Sequence, residues 1–142
     1  MNNQDIIIEK VYNSPVQKVW EALTDNDQMK IWYFDLPEFK AEKGFEFQFY
    51  GGKEADRQYL HLCKVTHVVP GKLLTYSWKY DGYPGHSFVT FALDTEGAGT
   101  RLTLTHSGIE TFERFNPDFA KEEFVKGWTS FLNDSLKDFL DI

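Results

Sequence analysis

The sequence predicts an α+β domain in which a curved antiparallel sheet of about seven strands is covered by one long C-terminal helix, with two short helices after the first strand. Three observations predict it. Apolar residues repeat at helical spacing directly after an opening β-branched run, and again over the last stretch of chain. Between those segments, from about Pro37 to Leu104, apolar and polar residues alternate with a period of two. Finally, 142 residues with 42% apolar and 17% aromatic content supply one core but not two, so residues 1–142 are expected to form a single domain.

Asp5 to Tyr12 reads as the first strand, because Ile6, Ile7 and Ile8 are β-branched and Val11 and Tyr12 continue the run. Asn13-Ser14-Pro15 is a helix-start signal, with Ser14 as cap and Pro15 at the first helical position. It precedes Val16, Val19, Trp20 and Leu23, and the helix should reach about Thr24. Asp25 to Asp27 offer capping oxygens to a second short helix that carries Met29, Ile31, Trp32 and Phe34.

Leu36 to Lys40 is a weak strand. Gly44 begins a strong one, with Phe45, Phe47 and Phe49 on one face against Glu46 and Gln48, and Gly51-Gly52 ends it. Arg57 to Val69 is long but blurred: Leu60 and Leu62 oppose His61, Cys63 and Val65, which calls for a bulge that changes phase. Pro70-Gly71 turns the chain into a strand whose large residues Leu74, Tyr76, Trp78 and Tyr80 mark the inner face. Ser87, Val89, Phe91 and Leu93 follow in the next strand, and Leu102, Leu104 and His106 in the last. Asn116-Pro117-Asp118 leads into a helix from about Phe119 to Leu140. Its apolar face carries Phe124, Val125, Trp128, Phe131, Leu132, Leu136 and Phe139.

Charge and composition exclude several functions. With 22 Asp/Glu against 15 Lys/Arg, a net charge of -7 repels nucleic acid and anionic lipid surfaces, so neither partner is expected. The single Cys63 excludes an intrachain disulfide, the N-terminus lacks a basic leader and apolar core, and no apolar run approaches the ~20 residues of a spanning helix. A cytoplasmic protein, a monomer or a weak homodimer, is the expectation. Gly51-Gly52-Lys53 lacks the rest of a phosphate loop and no dinucleotide fingerprint is present, so no cofactor is expected. His61 and Cys63 share a strand face, but zinc wants three or four ligands, so no metal is expected either.

The candidate binding residues are the large apolar side chains that the pattern turns toward the sheet–helix interface. They are Trp32, Phe47, Phe49, Tyr76, Trp78, Val89 and Phe91 from the first part of the chain, and Phe124, Trp128 and Phe131 from the helix. Such residues line a cavity or simply fill a core, and sequence leaves both open. Trp128 is central on the helix face. His106 shares a strand face with Leu102 and Leu104 and is either a structural histidine or the one polar group of a cavity. Arg57 and Arg101 are strand residues that either reach a ligand anion or cover an outer face. Asp35 with Glu38, and Glu110 with Glu113, sit in polar connections and receive no role. The connection from Gly108 to Asp118, bearing Phe112 and Phe115 and followed by Phe119, is either a flap over a cavity mouth or a packed cap.

The order strand, two short helices, antiparallel strands, long helix resembles the helix-grip fold of the START-like, birch-pollen-allergen-like superfamily over the whole chain. Ser14-Pro15 followed by Val19-Trp20-Glu21-Ala22-Leu23-Thr24, then Trp32, then the run from Gly99 to His106, and lastly Gly127-Trp128, resemble the domain of bacterial homologues of the activator of the heat-shock-protein-90 ATPase. Lys43-Gly44 stands where that pattern carries paired glycines, and Gly51-Gly52 follows instead. The resemblance implies a sheet gripping the helix around an apolar cavity. Binding of a small, largely apolar molecule without catalysis is the function expected. A chaperone-associated protein-binding module, and a cyclase- or hydratase-like enzyme with His106 and Tyr76 as acid or base, are the alternatives.

Overall fold

A computed structural model of the chain describes residues 5–54, 57–112 and 116–141. The strands β1 (Ile6–Tyr12), β2 (Glu46–Glu54), β3 (Arg57–Val69), β4 (Leu73–Tyr80), β5 (Ser87–Glu96) and β6 (Gly99–Ser107) form one antiparallel sheet in the order β1-β6-β5-β4-β3-β2. From β2 to β6 each strand lies beside its chain neighbour. β1 then pairs with the last strand, Ile6 opposite His106 and Tyr12 opposite Thr100.

Six strands replace the seven expected, because Leu36 to Lys40 is irregular. Pro37 has no N–H to give a ladder. Leu36 and Phe39 are both buried, three residues apart, a spacing that a strand would send to opposite faces. Gly51-Gly52 does not end β2 either: the strand runs on to Glu54, and its register with β3 shifts between Gly51 and Glu54. The bulge in β3 is present. Register with β4 shifts between Val65 and His67, so His61, Cys63 and Val65 face the core before it and Val68 packs against the core after it.

Helices α1 (Val16–Thr24) and α2 (Asn26–Trp32) follow β1. Pro15 sits one place earlier than expected, at the cap, where its carbonyl accepts the Lys18 and Val19 N–H groups. Ser14 does not cap the helix; it is buried, and its carbonyl accepts the Thr100 hydroxyl at 2.7 Å. At the other end of the chain a 3-10 turn (Pro117–Phe119) comes first, capped by the Asn116 side chain, which accepts the Asp118 N–H at 2.9 Å. The helix therefore begins at 121 rather than 119. It runs as α3 (Lys121–Ser130), a π-helical turn (Phe131–Ser135) and α4 (Leu136–Leu140) without a break.

That π turn has a geometric purpose. Trp128, Leu132, Leu136 and Leu140 are all buried at steps of four residues. In a pure α-helix each such step rotates about 40° past a full turn, so the row would wind off the sheet. The wider π turn takes back part of this drift and keeps the four residues on one line. The Tyr12 hydroxyl donates to the Leu132 carbonyl at 2.6 Å, and Lys18 Nζ donates to the Leu140 carbonyl at 2.7 Å, which ties the helix to β1 and α1. Buried side chains of the sheet, α1, α2 and this helix make one continuous cluster. No helix among the described residues is long and apolar enough to cross a membrane.

Candidate ligand cavity

A cavity of about 270 Å³ lies between one end of the sheet and the first half of the long helix. This is near the lower limit of small-molecule sites, which run from about 300 to 1,000 Å³. β2 contributes Gly51 and Gly52, β3 Tyr59 and His61, and β4 Trp78 and Tyr80; Phe34 comes from the segment after α2. On the facing side stand Asp118 and Phe119 of the 3-10 turn and Glu123, Phe124, Gly127, Trp128, Ser130 and Phe131 of the helix. Gly52, Gly127 and Ser130 are exposed and form its rim.

Two aromatic walls bound the space. Phe34, Trp78, Trp128 and Phe131 follow one another around one wall, with neighbouring ring centres 5.1 to 6.5 Å apart. On the other, Tyr80 stacks on Phe119 at 4.1 Å and Tyr59 meets Phe119 edge-on at 4.9 Å. His61 joins them, 4.8 Å from Trp78 and 4.7 Å from Tyr80. The close approach of Phe34 to β2 depends on Gly51, where a Cβ would stand 2.7 Å from Phe34 Cε1 and 3.2 Å from His61 Cε1. Gly51→Ala is expected to drive the Phe34 ring into the cavity and to lower stability by about 1–3 kcal/mol, read as a lower urea midpoint.

The sequence candidates separate in space. Trp78, Phe124, Trp128 and Phe131 border the cavity. Phe49 stacks on His61 at 4.5 Å just behind the wall. Trp32, Phe47, Tyr76, Val89 and Phe91 are buried in the core beyond it; there the Trp32 indole donates to the Ala22 carbonyl at 2.7 Å, and the Tyr76 and Tyr33 hydroxyls are 2.7 Å apart.

His106 is sealed behind Trp128. The Trp128 indole N–H, which can only donate, is 3.1 Å from Nδ1, so Nδ1 is unprotonated and the neutral ring carries its proton on Nε2. Nε2–H then donates to Ser87 Oγ at 2.9 Å, and the Ser87 hydroxyl donates to the Trp78 carbonyl at 3.0 Å. Both ring nitrogens are in use, which makes this the satisfied structural histidine weighed from the sequence. Burial lowers its pKa from 6.5 to about 3, with the charge of His61 a second cause.

His61 borders the cavity although the sequence offered only its pairing with Cys63. Its Nδ1–H donates to the Tyr59 carbonyl at 2.8 Å. Burial lowers its pKa from 6.5 to about 4 and outweighs the carbonyls of Tyr59 and Phe49, so the ring is neutral near pH 7. Burial also raises the Cys63 thiol well above its ordinary value. Among the described residues no group of three His, Cys, Asp or Glu is arranged to hold a metal ion.

A polar latch closes one side of the cavity. The Tyr59 hydroxyl donates to Asp118 Oδ2 at 2.5 Å, and Asn116 Nδ2 donates to the Tyr59 hydroxyl at 3.0 Å. Burial, then the bond to Asp118, raises the Tyr59 pKa. Phe112 and Phe119 are buried, so the connection is pinned by packing at both described ends. Glu113, Phe115 and the Arg57 side chain lie outside the described residues. Arg101 pairs with Glu96 at 2.8 Å at the surface, and Glu38 pairs with Lys40 at 3.8 Å.

Sequence reasoning did not select Phe34, Tyr59, His61, Tyr80 or Glu123 for the cavity, and reached Asp118 and Phe119 only through the flap-or-cap connection. Their local patterns carry no sign of convergence, except that Gly51-Gly52 inside a strand signals a close approach.

Solved structures share this architecture. The chain is similar to protein MLL2253 from Mesorhizobium loti, at 29% identity over 96% of each chain with a TM-score of 0.77. It is also similar to CalU16 from Micromonospora echinospora, at 31% identity over 96% of this chain and 75% of that one, TM-score 0.76. Protein CV1439 from Chromobacterium violaceum matches in fold at 19% identity, over 98% of each chain, TM-score 0.81. No curated protein matches the sequence. The START-like helix-grip fold therefore holds for the described residues. The family model described as Activator of Hsp90 ATPase homolog 1-like protein matches residues 13–141, across every segment that borders the cavity, and the chain belongs to that family.

Proposed function

We propose that the protein binds a small, largely apolar molecule in the cavity between its sheet and its C-terminal helix, without chemical conversion. The observation that carries this reading is the space of about 270 Å³ left between two aromatic walls in an otherwise continuous core. Ring faces supply contact area for burial at about 25 cal/mol per Å² of apolar surface, and the Tyr59–Asp118 latch supplies orientation. His106, the residue an enzymatic reading would use first, has both nitrogens engaged inside the core. From the composition of the chain we further propose a cytoplasmic protein, a monomer or a weak homodimer.

Gly127 provides the test. A Cβ there meets nothing within 4 Å, and the residue borders the cavity at an exposed helical position. Gly127→Leu is expected to plug the opening while leaving the fold intact, because replacing a helical glycine adds up to about 1 kcal/mol of helix propensity. In a thermal-melt screen of small apolar compounds the wild type should be stabilised by at least one class and the variant by none. Equal stabilisation of both proteins, or of neither, would overturn the proposal.

A chaperone-associated role is the second reading, favoured by the family description. It would rest on the outer surface, so Gly127→Leu should leave binding to a purified heat-shock-protein-90 homologue unchanged.

A further inference from the structure

We propose that the ligand of this cavity carries a hydroxyl group on its apolar body, in the manner of a small alkylphenol, and that this hydroxyl bridges His61 and Tyr80. The proposal rests on the cavity being a ligand site. It goes beyond that reading by naming the polar group of the guest and the two side chains that select it.

His61 and Tyr80 are cross-strand partners of β3 and β4 on the inner face of the sheet, with ring centres 4.7 Å apart, and both line the cavity. Each is only 5% exposed. The Tyr59 carbonyl can only accept, so His61 Nδ1, 2.8 Å from it, carries the ring proton. That leaves Nε2 of the neutral ring as a bare acceptor. On the neighbouring strand the Trp78 indole, which can only donate, gives its N–H to the Tyr80 hydroxyl oxygen at 2.9 Å. The phenolic hydrogen of Tyr80 is therefore not used in that bond. Among the described residues no donor is bonded to His61 Nε2, no acceptor is bonded to the Tyr80 O–H, and the two are not bonded to each other.

One wall of the cavity thus presents an acceptor and a donor side by side, in two buried side chains. Other polar atoms of the aromatic lining are already used: the Tyr59 hydroxyl bonds Asp118 and Asn116, and the Trp128 indole bonds His106. A pure hydrocarbon guest would strip water from His61 and Tyr80 and replace it with nothing, which opposes binding. A hydroxyl answers both with a single oxygen, its hydrogen going to Nε2 and a lone pair receiving the Tyr80 O–H. An ether oxygen accepts but cannot donate, and so satisfies Tyr80 alone. The rings of Phe34, Trp78 and Phe131 beside this pair supply contact area for the aromatic or alkyl body that carries the hydroxyl.

Three probes of similar shape decide it: para-ethylphenol, its methyl ether para-ethylanisole, and ethylbenzene. Isothermal calorimetry measures affinity, and shifts of the Trp78 and Trp128 indole N–H resonances place the probe at this wall. The phenol is expected to bind about tenfold or more tighter than ethylbenzene, with the ether close to ethylbenzene. Tyr80→Phe and His61→Phe each remove one half of the pair and keep a flat ring. Each should reduce the preference for the phenol several-fold while leaving the affinity for ethylbenzene unchanged, a change of ratio that a merely structural role would not produce. Ethylbenzene binding as tightly as the phenol, or the ether doing so, would overturn the hydroxyl assignment and leave the cavity reading standing. An undiminished preference in whichever of the two variants folds would overturn it as well. Failure of all three probes to bind at millimolar concentration would overturn both.

Discussion

Replacing Trp128 by alanine is expected to cost about 3–5 kcal/mol of folding stability, the loss typical of a fully buried large aromatic side chain. The residue is 3% exposed and stands where three things meet. Its ring contacts Trp78 at 5.6 Å, Phe91 at 6.0 Å and Phe131 at 6.1 Å, so its removal takes away the helix side of the aromatic wall. Its indole N–H is the donor that occupies His106 Nδ1. Trp128→Phe separates these contributions: the ring is largely kept, but a buried acceptor loses its donor, at about 1–3 kcal/mol. Urea unfolding of the two variants should therefore rank wild type, then Phe, then Ala. A loss below about 1 kcal/mol for alanine would mean that the side chain is not a core element.

The second large effect is acid sensitivity. Burial holds His106 at about 3 and His61 at about 4, whereas in the unfolded chain both titrate near 6.5. Above pH 6.5 neither state binds these protons and stability is unaffected by them. As pH falls below 6.5 the unfolded chain takes them up first, so stability declines, and the decline continues until the folded values near 4 and 3 are passed. At about 1.4 kcal/mol for each tenfold change in proton affinity, the two groups together are worth several kcal/mol at the acid end. The urea midpoint should drop markedly between about pH 7 and about pH 4.5. His106→Gln offers an amide oxygen to the Trp128 N–H but no titration, so it should be less stable near neutrality and show a shallower decline. An unchanged slope in that variant would remove His106 from the explanation. Protonation of Nδ1 also requires the Trp128 hydrogen bond to break, which couples acid to the aromatic wall of the cavity.

Much of the architecture was legible because it is written at short range. Alternation at Leu74, Tyr76, Trp78 and Tyr80 fixed which side of β4 faces inward, and all four are buried. β3 has the bulge that was expected, but between Val65 and His67 and not among the residues that suggested it: Leu60 and Leu62 lie on the outer face of the regular stretch before it. The π turn was not legible, because a row at steps of four such as Trp128, Leu132, Leu136 and Leu140 is also an ordinary ridge of an α-helix. Leu36 to Lys40 shows a further limit: isolated apolar residues resembled a weak strand, and only their joint burial shows an irregular segment anchored at two points.

The sequence by itself determined the order of the six strands and the helices that form, the inward faces of β2, β4, β5 and β6, the long helix and the family of the fold, but not the faces of β3. The tertiary structure decided where the interior is hollow. Trp78 and Tyr76 lie on the same face of the same strand, yet Trp78 borders the cavity and Tyr76 is packed solid beyond it. It also decided that Gly51, Tyr59, Asp118 and Gly127, far apart in the chain, bound a single space. The physical reason is that periodicity records which side of an element a residue occupies. Whether the volume in front of it is filled depends on side chains contributed by other elements, and no local pattern carries their sum.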